Sequence, residues 1–271
     1  MNANFRYMLR RYRLAIAGWG LALAIVAVIA VRLYSTILER MEVVEKLMAG
    51  MPPLLVALAG EASVLATPGG WLHVKFFVMV PILLGIYCVQ AGAGLLAGDE
   101  ERGRLDLLMA YPVSRTRLFL GRLLALVTAT GWILAICWAA VFLALPGSGM
   151  KIHFGESLLP FLNTLAPLLL FEMLALALSM IMPSKLLAAG AAGFVLVASF
   201  FIELLLSVEP ALLSVAKLLP LHYYRGGLAL ESFGWPGFLG QLGVALLLGV
   251  FAYWRFLRRD IRVMGEGSWR W

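Results

Sequence analysis

KFFVMVPILLGIYCVQAGAGLLAGDEERGRLDLLMAYPVSRTRLFLGR, residues Lys75 to Arg122, is the stretch that decides how this chain is built. Its first half, 76–98, carries no charge and is long enough to cross a ~30 Å hydrocarbon core, which takes about 20 apolar residues in helical form. Charge then arrives at once, in Asp99, Glu100, Glu101, Arg102 and Arg104, before a second uncharged run opens at Leu123. Between the two runs Gly103 permits a sharp change of direction. Leu105, Leu107, Leu108 and Met109 suit a short amphipathic helix, and the turn signal Tyr111-Pro112 closes it. The stretch reads as two spans joined by a rigid polar knob over residues 98–117.

The rest of the chain repeats the first half of this pattern. It is 62% hydrophobic and 14% charged, with a mean hydropathy of +0.93, against roughly 25% charged residues in an average soluble domain. Uncharged runs bounded by charges fall at 14–31, 76–98, 123–150, 157–184, 186–207 and 232–254, with Glu172 and Glu203 as the only acidic interruptions. An isolated strand in lipid would leave its backbone groups unpaired, so each run predicts a helix. The expected fold is an all-α integral membrane protein of six transmembrane helices, one domain over residues 1–271.

Basic residues give the orientation. Arg6, Arg10, Arg11 and Arg13 precede the first run, Arg102, Arg104, Arg115, Arg117 and Arg122 lie between the second and third, and Lys185 lies between the fourth and fifth. Arg255, Arg258, Arg259, Arg262 and Arg270 follow the last run. The positive-inside rule then predicts a multi-pass protein of the cell membrane with both termini in the cytosol. The formal charge of +7 is split among these helix-flanking patches, so topology explains it and a nucleic-acid partner is not expected. The first apolar run is longer than a usual signal-peptide core, and Arg32 follows it without a clear cleavage site, which predicts a retained helix. Before it, Phe5, Tyr7, Met8, Leu9 and Tyr12 interleave with arginines, which suits an elbow helix over residues 1–13 lying on the inner surface of the bilayer.

On the outer side, ERMEVVEK reads as a helical continuation with an i,i+4 pair between Glu42 and Lys46. MPPLLVALAG is apolar but too short to span, and predicts a re-entrant or interfacial helix. Residues 208–237, with Pro210, Pro220, Tyr223, Tyr224, Trp235 and Pro236, predict an outer interfacial segment with an aromatic belt. Cys88 and Cys137 fall inside runs and have no CxxC spacing, and His73, His153 and His222 stand far apart, so neither disulfide nor metal chemistry is expected. AGAGLLAG at 91–98 lacks the strand-and-helix setting of a nucleotide loop; Gly94 and Gly98 instead fit close helix packing. The chain has no GxxxxGK[ST], HExxH or GxSxG motif, so no catalytic residue is named and no bound cofactor is expected.

Glu172 stands near the middle of the fourth run. An ionised carboxylate there costs about 2.5–3.5 kcal/mol on insertion scales, so the residue should face protein, water or a partner. Two readings are open: a pathway or gate residue, together with Asn163, or a protonated or hydrogen-bonded packing residue. Gln90 and Asn163 are candidates for interhelical hydrogen bonds, and Glu203, nearer an outer end, needs only a basic partner or a snorkelling path. A stand-alone transporter driven by an ion gradient through Glu172 is the alternative function. It lacks the paired interrupted spans of inverted repeats. An intramembrane enzyme would need a nucleophile and base or a metal cluster, for which the spans offer no convincing set.

The order E-E-x-G-x-L, a leucine-rich turn and P-V-S-R closely resembles the coupling segment of type-2 ABC exporter permeases, here Glu100, Glu101, Gly103, Leu105, Pro112, Val113, Ser114 and Arg115. MPPLLVALAG, LLPLHYYRGG and FLRRDI resemble, in order, the family's outer motif, its segment before the last helix and its basic ending. The resemblance implies a coupling helix received by a cytosolic ATPase, with Glu100, Glu101, Gly103, Leu105, Leu108 and Pro112 at or beside the contact and Arg115 bracing the return to the membrane. Arg104 departs from the family's usual small polar residue. The resemblance further implies two ATPase copies carrying ATP and Mg, a second permease chain as homodimer or heterodimer, and export of an amphipathic drug, antibiotic, peptide or lipid.

Overall fold

The computed structural model describes residues 2–50, 52, 62–103, 105, 114–206 and 208–258. Among them the chain is helices and turns with no strand. The long helices are α1 (Asn2–Leu38), α4 (Val80–Gly94), α6 (Arg115–Ala144), α7 (Leu159–Ser179), α8 (Lys185–Leu206) and α9 (Trp235–Arg258). Shorter ones include α2 (Met41–Ala49), α3 (Pro68–Leu72) and α5 (Ala97–Glu100), besides single turns at Ala62–Leu65, Phe154–Ser157 and Leu213–Ala216. Among the described residues five helices are long and apolar enough to cross a membrane, or six if Pro68–Phe77 and Val80–Gly94, bent by 43° at their junction, form one span.

The elbow expected at 1–13 is not set off from the first span. α1 runs unbroken from Asn2 to Leu38, because the segment has no proline and its first glycine is Gly18. At 1.5 Å per residue a helix of 37 residues is about 55 Å long, so it must project beyond a ~30 Å core. α1 packs along α6 with small residues at the contact. A Cβ on Gly20 would come within 2.9 Å of the Ile136 side chain, and the Cys137 thiol donates to the Gly20 carbonyl at 3.7 Å. Lipid tails are as apolar as leucine, so helices in a bilayer gain by close approach rather than by expelling water.

α7 is the centre of the remaining helices and packs against α4, α8 and α9. The close contacts expected at Gly94 and Gly98 fall instead on Gly85 and Gly92, on the face of α4 opposite Gly94. A Cβ on Gly94 would meet nothing within 4 Å, and one on Gly98 only a lysine methylene at 3.8 Å. A Cβ on Gly92 would lie 2.3 Å from the Glu172 carbonyl of α7, and one on Gly85 2.9 Å from Leu196 of α8. Gly85 and Gly92 are seven apart and share a face, the one α4 turns inward.

The bend before α4 has a covalent cause. Pro81, in the first turn of α4, has no N–H to give the Phe77 carbonyl. Upstream, His73–Phe77 widens into a π-turn in which the Val78 N–H reaches the His73 carbonyl at 2.8 Å. The Tyr224 hydroxyl donates to the freed Phe77 carbonyl at 2.9 Å and lies 3.0 Å from the Thr164 hydroxyl of α7. A broken helix inside a bilayer is tolerated when a neighbour supplies the lost hydrogen bond.

Tyr224 belongs to the outer segment 208–237, a succession of short 3-10 turns, Pro210–Leu212, Pro220–Tyr223 and Gly226–Leu230. This segment lies against α3: a Cβ on Gly227 would fall 2.4 Å from the Gly69 carbonyl, and Gly226 takes φ +50. α3 is tied to α1 by the Trp71 indole N–H, which donates to the Ala30 carbonyl at 2.7 Å. The aromatic residues of the segment divide. Tyr224 is half-buried with its hydroxyl bonded inward, and desolvation pushes its phenol above the ordinary range, while Tyr223 and Trp235 are exposed. Of MPPLLVALAG only Pro52 is among the described residues, so the re-entrant or interfacial helix expected there lies outside them.

Candidate functional site

α4 ends at Gly94, and the chain turns through Leu95 and Leu96 into α5. Asp99 in α5 is 4% exposed and faces two arginines. Its Oδ2 lies 2.8 Å from Arg122 Nη2 and its Oδ1 3.3 Å from Arg11 Nη1. Arg122 is itself 1% exposed, and its Nη1 donates to the Leu95 carbonyl at 2.9 Å. One buried carboxylate thus joins the start of α1, the end of α4 and the start of α6. Charges this deep are tolerated only when paired and hydrogen-bonded.

The two flanks of the knob reach the other helices. Glu101 Oε1 accepts the Lys185 N–H at 2.7 Å, and the Ser184 hydroxyl accepts the Leu187 N–H at 3.3 Å. Between them they satisfy orphan donors in the first turn of α8, where a carboxylate also meets the positive end of the helix dipole. On the return side, Ser114 caps α6 by accepting the Arg117 N–H at 3.3 Å. Arg115 Nη1 donates to the Phe256 and Leu257 carbonyls at 3.4 and 3.3 Å, a cation on the negative end of α9. The Thr116 and Tyr253 hydroxyls meet at 2.9 Å, and Asn4 Nδ2 donates to the Leu118 carbonyl at 3.0 Å.

The reversal itself depends on Gly103, whose φ of +63 is costly for any residue with a Cβ. Its N–H bonds the Glu100 carbonyl at 2.9 Å, closing the turn. Past it, Leu105 comes back into the fold at 2% exposure, in one buried cluster with Met8, Leu96, Phe119 and Met180. Glu100 is buried too, whereas Glu101 and Arg102 are exposed. Leu105 and Glu100 are thus turned into the fold, and the exposed described residues of the knob are Glu101, Arg102, Ser114 and Arg117, with Gly103 half-buried at the turn. Leu108 and Pro112 lie outside the described residues.

Sequence reading passed over the Asp99, Arg122 and Arg11 cluster because each residue was accounted for as a helix flank. One signal was present: Arg122 sits two turns inside α6 rather than before it, a poor position for an unpaired charge.

Glu172 and Asn163 are not brought together. They sit nine positions apart on α7, about 13 Å along its axis. Glu172 is fully buried where α4 and α7 cross at Gly92, and the Thr130 hydroxyl of α6 donates to its Oε1. Asn163 is 2% exposed and fully engaged with the outer segment. Its Oδ1 accepts the Arg225 and Gly226 N–H groups at 2.9 and 3.2 Å, and its Nδ2 donates to the Phe233 carbonyl at 3.0 Å. Glu203 Oε2 lies 3.1 Å from Nδ1 of His222, within hydrogen-bond distance. Gln90 is exposed on α4. Cys88 and Cys137 are buried free thiols, and no cluster of three metal-ligating side chains occurs among the described residues.

No curated protein matches the chain closely enough to count as a relative. A family model does: the one described as ABC-2 family transporter protein matches residues 10–261, from the arginines before the first span to the basic segment after the last, and the chain therefore belongs to the ABC-2 transporter family.

Proposed function

We propose that this chain is the six-span membrane subunit of an ATP-driven exporter, and that its corner over residues 98–117 receives a cytosolic ATPase. Family membership makes it a multi-pass membrane component of an ABC transporter, without an ATPase site of its own and associated with an ABC ATPase. The finer reading adds two ATPase copies, each with ATP and Mg, and a second permease chain, either identical or different. It places both termini in the cytosol of a cell-membrane protein and takes an amphipathic compound as substrate.

One observation carries the reading: the corner is wired to the ends of the other helices. Asp99 grips α1 and α6, Glu101 holds the start of α8, and Arg115 holds the end of α9. A push on the exposed turn at Glu101, Arg102 and Gly103 is thus delivered to five helix ends through short polar contacts. Nucleotide binding by the partner then biases two membrane arrangements by favouring one position of the corner. Leu105 and Glu100 serve as its inner footing, and the proposed ATPase contact also takes in Leu108 and Pro112, which the family resemblance puts at or beside it.

The test uses the chain co-expressed with its ATPase. Glu101→Ala and Arg102→Glu should leave the chain in the membrane while lowering substrate-stimulated ATP hydrolysis, and Arg102→Glu should also reduce co-purification of the ATPase. Both activities at wild-type levels would place the docking surface elsewhere. Transport by the purified chain alone, driven by a pH gradient and lost in Glu172→Gln, would favour the ion-coupled alternative; the enclosed position of Glu172 beside Thr130 supports a packing role instead.

A further inference from the structure

At the corner end of the bundle, acid and base part company. Asp99 is turned inward onto Arg11 and Arg122, and Glu101 is spent on the start of α8. Arg6, Arg10 and Arg13 of α1, Arg117 of α6, and Arg255 and Arg258 of α9 are exposed. Among the described residues none of these six has a carboxylate within ion-pair distance.

They form a rim rather than a scatter. Arg6, Arg10 and Arg13 recur at spacings of four and three, which puts them on one face of α1. The opposite face holds Met8 and Asn4, buried or bonded toward α6. The first turns of α6 lie between α1 and α9, through the Asn4 contact on one side and the Phe119 to Phe256 ring contact at 5.8 Å on the other. Arginines on three adjacent helices therefore line one edge.

What lies next to the rim identifies its partner. On α1 the arginine face gives way to Leu14 and Leu21, exposed by 76% and 60%. On α6 Arg117 is followed by the exposed Leu120 and Leu124. On α9 Arg258 stacks over Trp254 at 4.7 Å, with exposed Val250 and Leu247 beyond. Each helix passes from guanidinium to exposed apolar side chain within about a turn or two. A soluble acidic protein would match the arginines but not the leucines. A phospholipid matches both, with phosphate at the rim and acyl chains along the apolar faces, and the exposed Tyr7 and Trp254 sit where interfacial aromatic residues belong.

We propose that this arginine rim binds the headgroups of anionic phospholipid and that the bound lipid stabilises the corner end of the bundle. The inference does not depend on the ATPase reading, since it concerns the chain and the bilayer alone.

Thermal unfolding of the purified chain in a neutral detergent tests it. Phosphatidylglycerol should raise the unfolding temperature and phosphatidylcholine at the same mole fraction should not, with the difference erased by about 0.5 M salt. Arg6→Gln/Arg10→Gln/Arg13→Gln, which leaves Arg11 and Arg122 on Asp99, should weaken phosphatidylglycerol binding by about 100-fold, since each arginine near an anionic surface contributes about fivefold. Equal shifts from the two lipids, a shift that survives salt, or full binding by the triple variant would each overturn the proposal. Inorganic phosphate reproducing the shift would overturn the lipid assignment. Should the triple variant fail to fold, the two-lipid comparison across salt on the wild type decides the matter alone.

Discussion

At the scale of single residues, Asp99 matters most. It neutralises a guanidinium that is 1% exposed, and breaking one side of such a pair costs about 3–5 kcal/mol because the other charge stays buried. Asp99→Ala should therefore lower the unfolding temperature of the purified chain far more than Glu101→Ala, whose carboxylate is exposed. Replacing both partners, as Asp99→Leu/Arg122→Met, should recover much of the loss in the same assay. A double variant no more stable than Asp99→Ala would show that the pair is not the source of the penalty. Gly103 is the other sensitive position. At φ +63 an alanine costs roughly 1–2 kcal/mol, so Gly103→Ala should be tolerated and Gly103→Pro, locked near −65°, should not. Equal expression and melting of the two variants would contradict the turn described here.

At the scale of elements, glycine placement and one tyrosine govern how the helices meet. Gly92→Ala sets a Cβ 2.3 Å from the Glu172 backbone, so α4 and α7 must part, whereas Gly94→Ala meets open space. The first should destabilise by about 1–3 kcal/mol, as overpacking does, and the second should be neutral or slightly stabilising through helix propensity. Denaturation of the two variants side by side checks the assignment, which sequence alone reversed in favour of Gly94 and Gly98. Tyr224→Phe removes the donor to the carbonyl that Pro81 leaves free. A cost of about 1–3 kcal/mol is expected for the unsatisfied group, and hydrogen exchange at 78–84 should rise if the tyrosine holds the bend. Unchanged exchange would mean that packing alone fixes the 43° angle.

At the scale of the whole molecule, the chain is held at both ends. The corner joins helix ends through Asp99, Glu101 and Arg115, and the opposite end is closed by Asn163, Tyr224, Trp71 and the turns they bind. Between these clasps α1 and α6 form one closely packed pair, and α4, α7, α8 and α9 form the remainder. A cross-link between cysteines introduced at Gly98 and Lys185, where a Cβ on Gly98 would lie 3.8 Å from the lysine side chain, should preserve membrane insertion while abolishing the ATP-driven transport seen in the reduced protein, if the corner must shift relative to α8. Undiminished transport by the oxidised protein would show that the two move as one body.

Much of this was legible in the order of residues. The apolar runs, their bounding charges and the polar knob follow from local composition, because a bilayer penalises an unpaired charge or backbone group wherever it occurs. The E-E-x-G-x-L order and the P-V-S-R exit marked the corner, and the family resemblance they carried holds over residues 10–261. The continuity of α1, the inward turn of Leu105, the pairing of Asp99 with Arg11 and Arg122, and the choice of Gly92 over Gly94 were decided only in three dimensions. Each depends on which faces of distant segments meet. A helix face can be read from its own residues, but its partner is selected by the packing of the whole bundle.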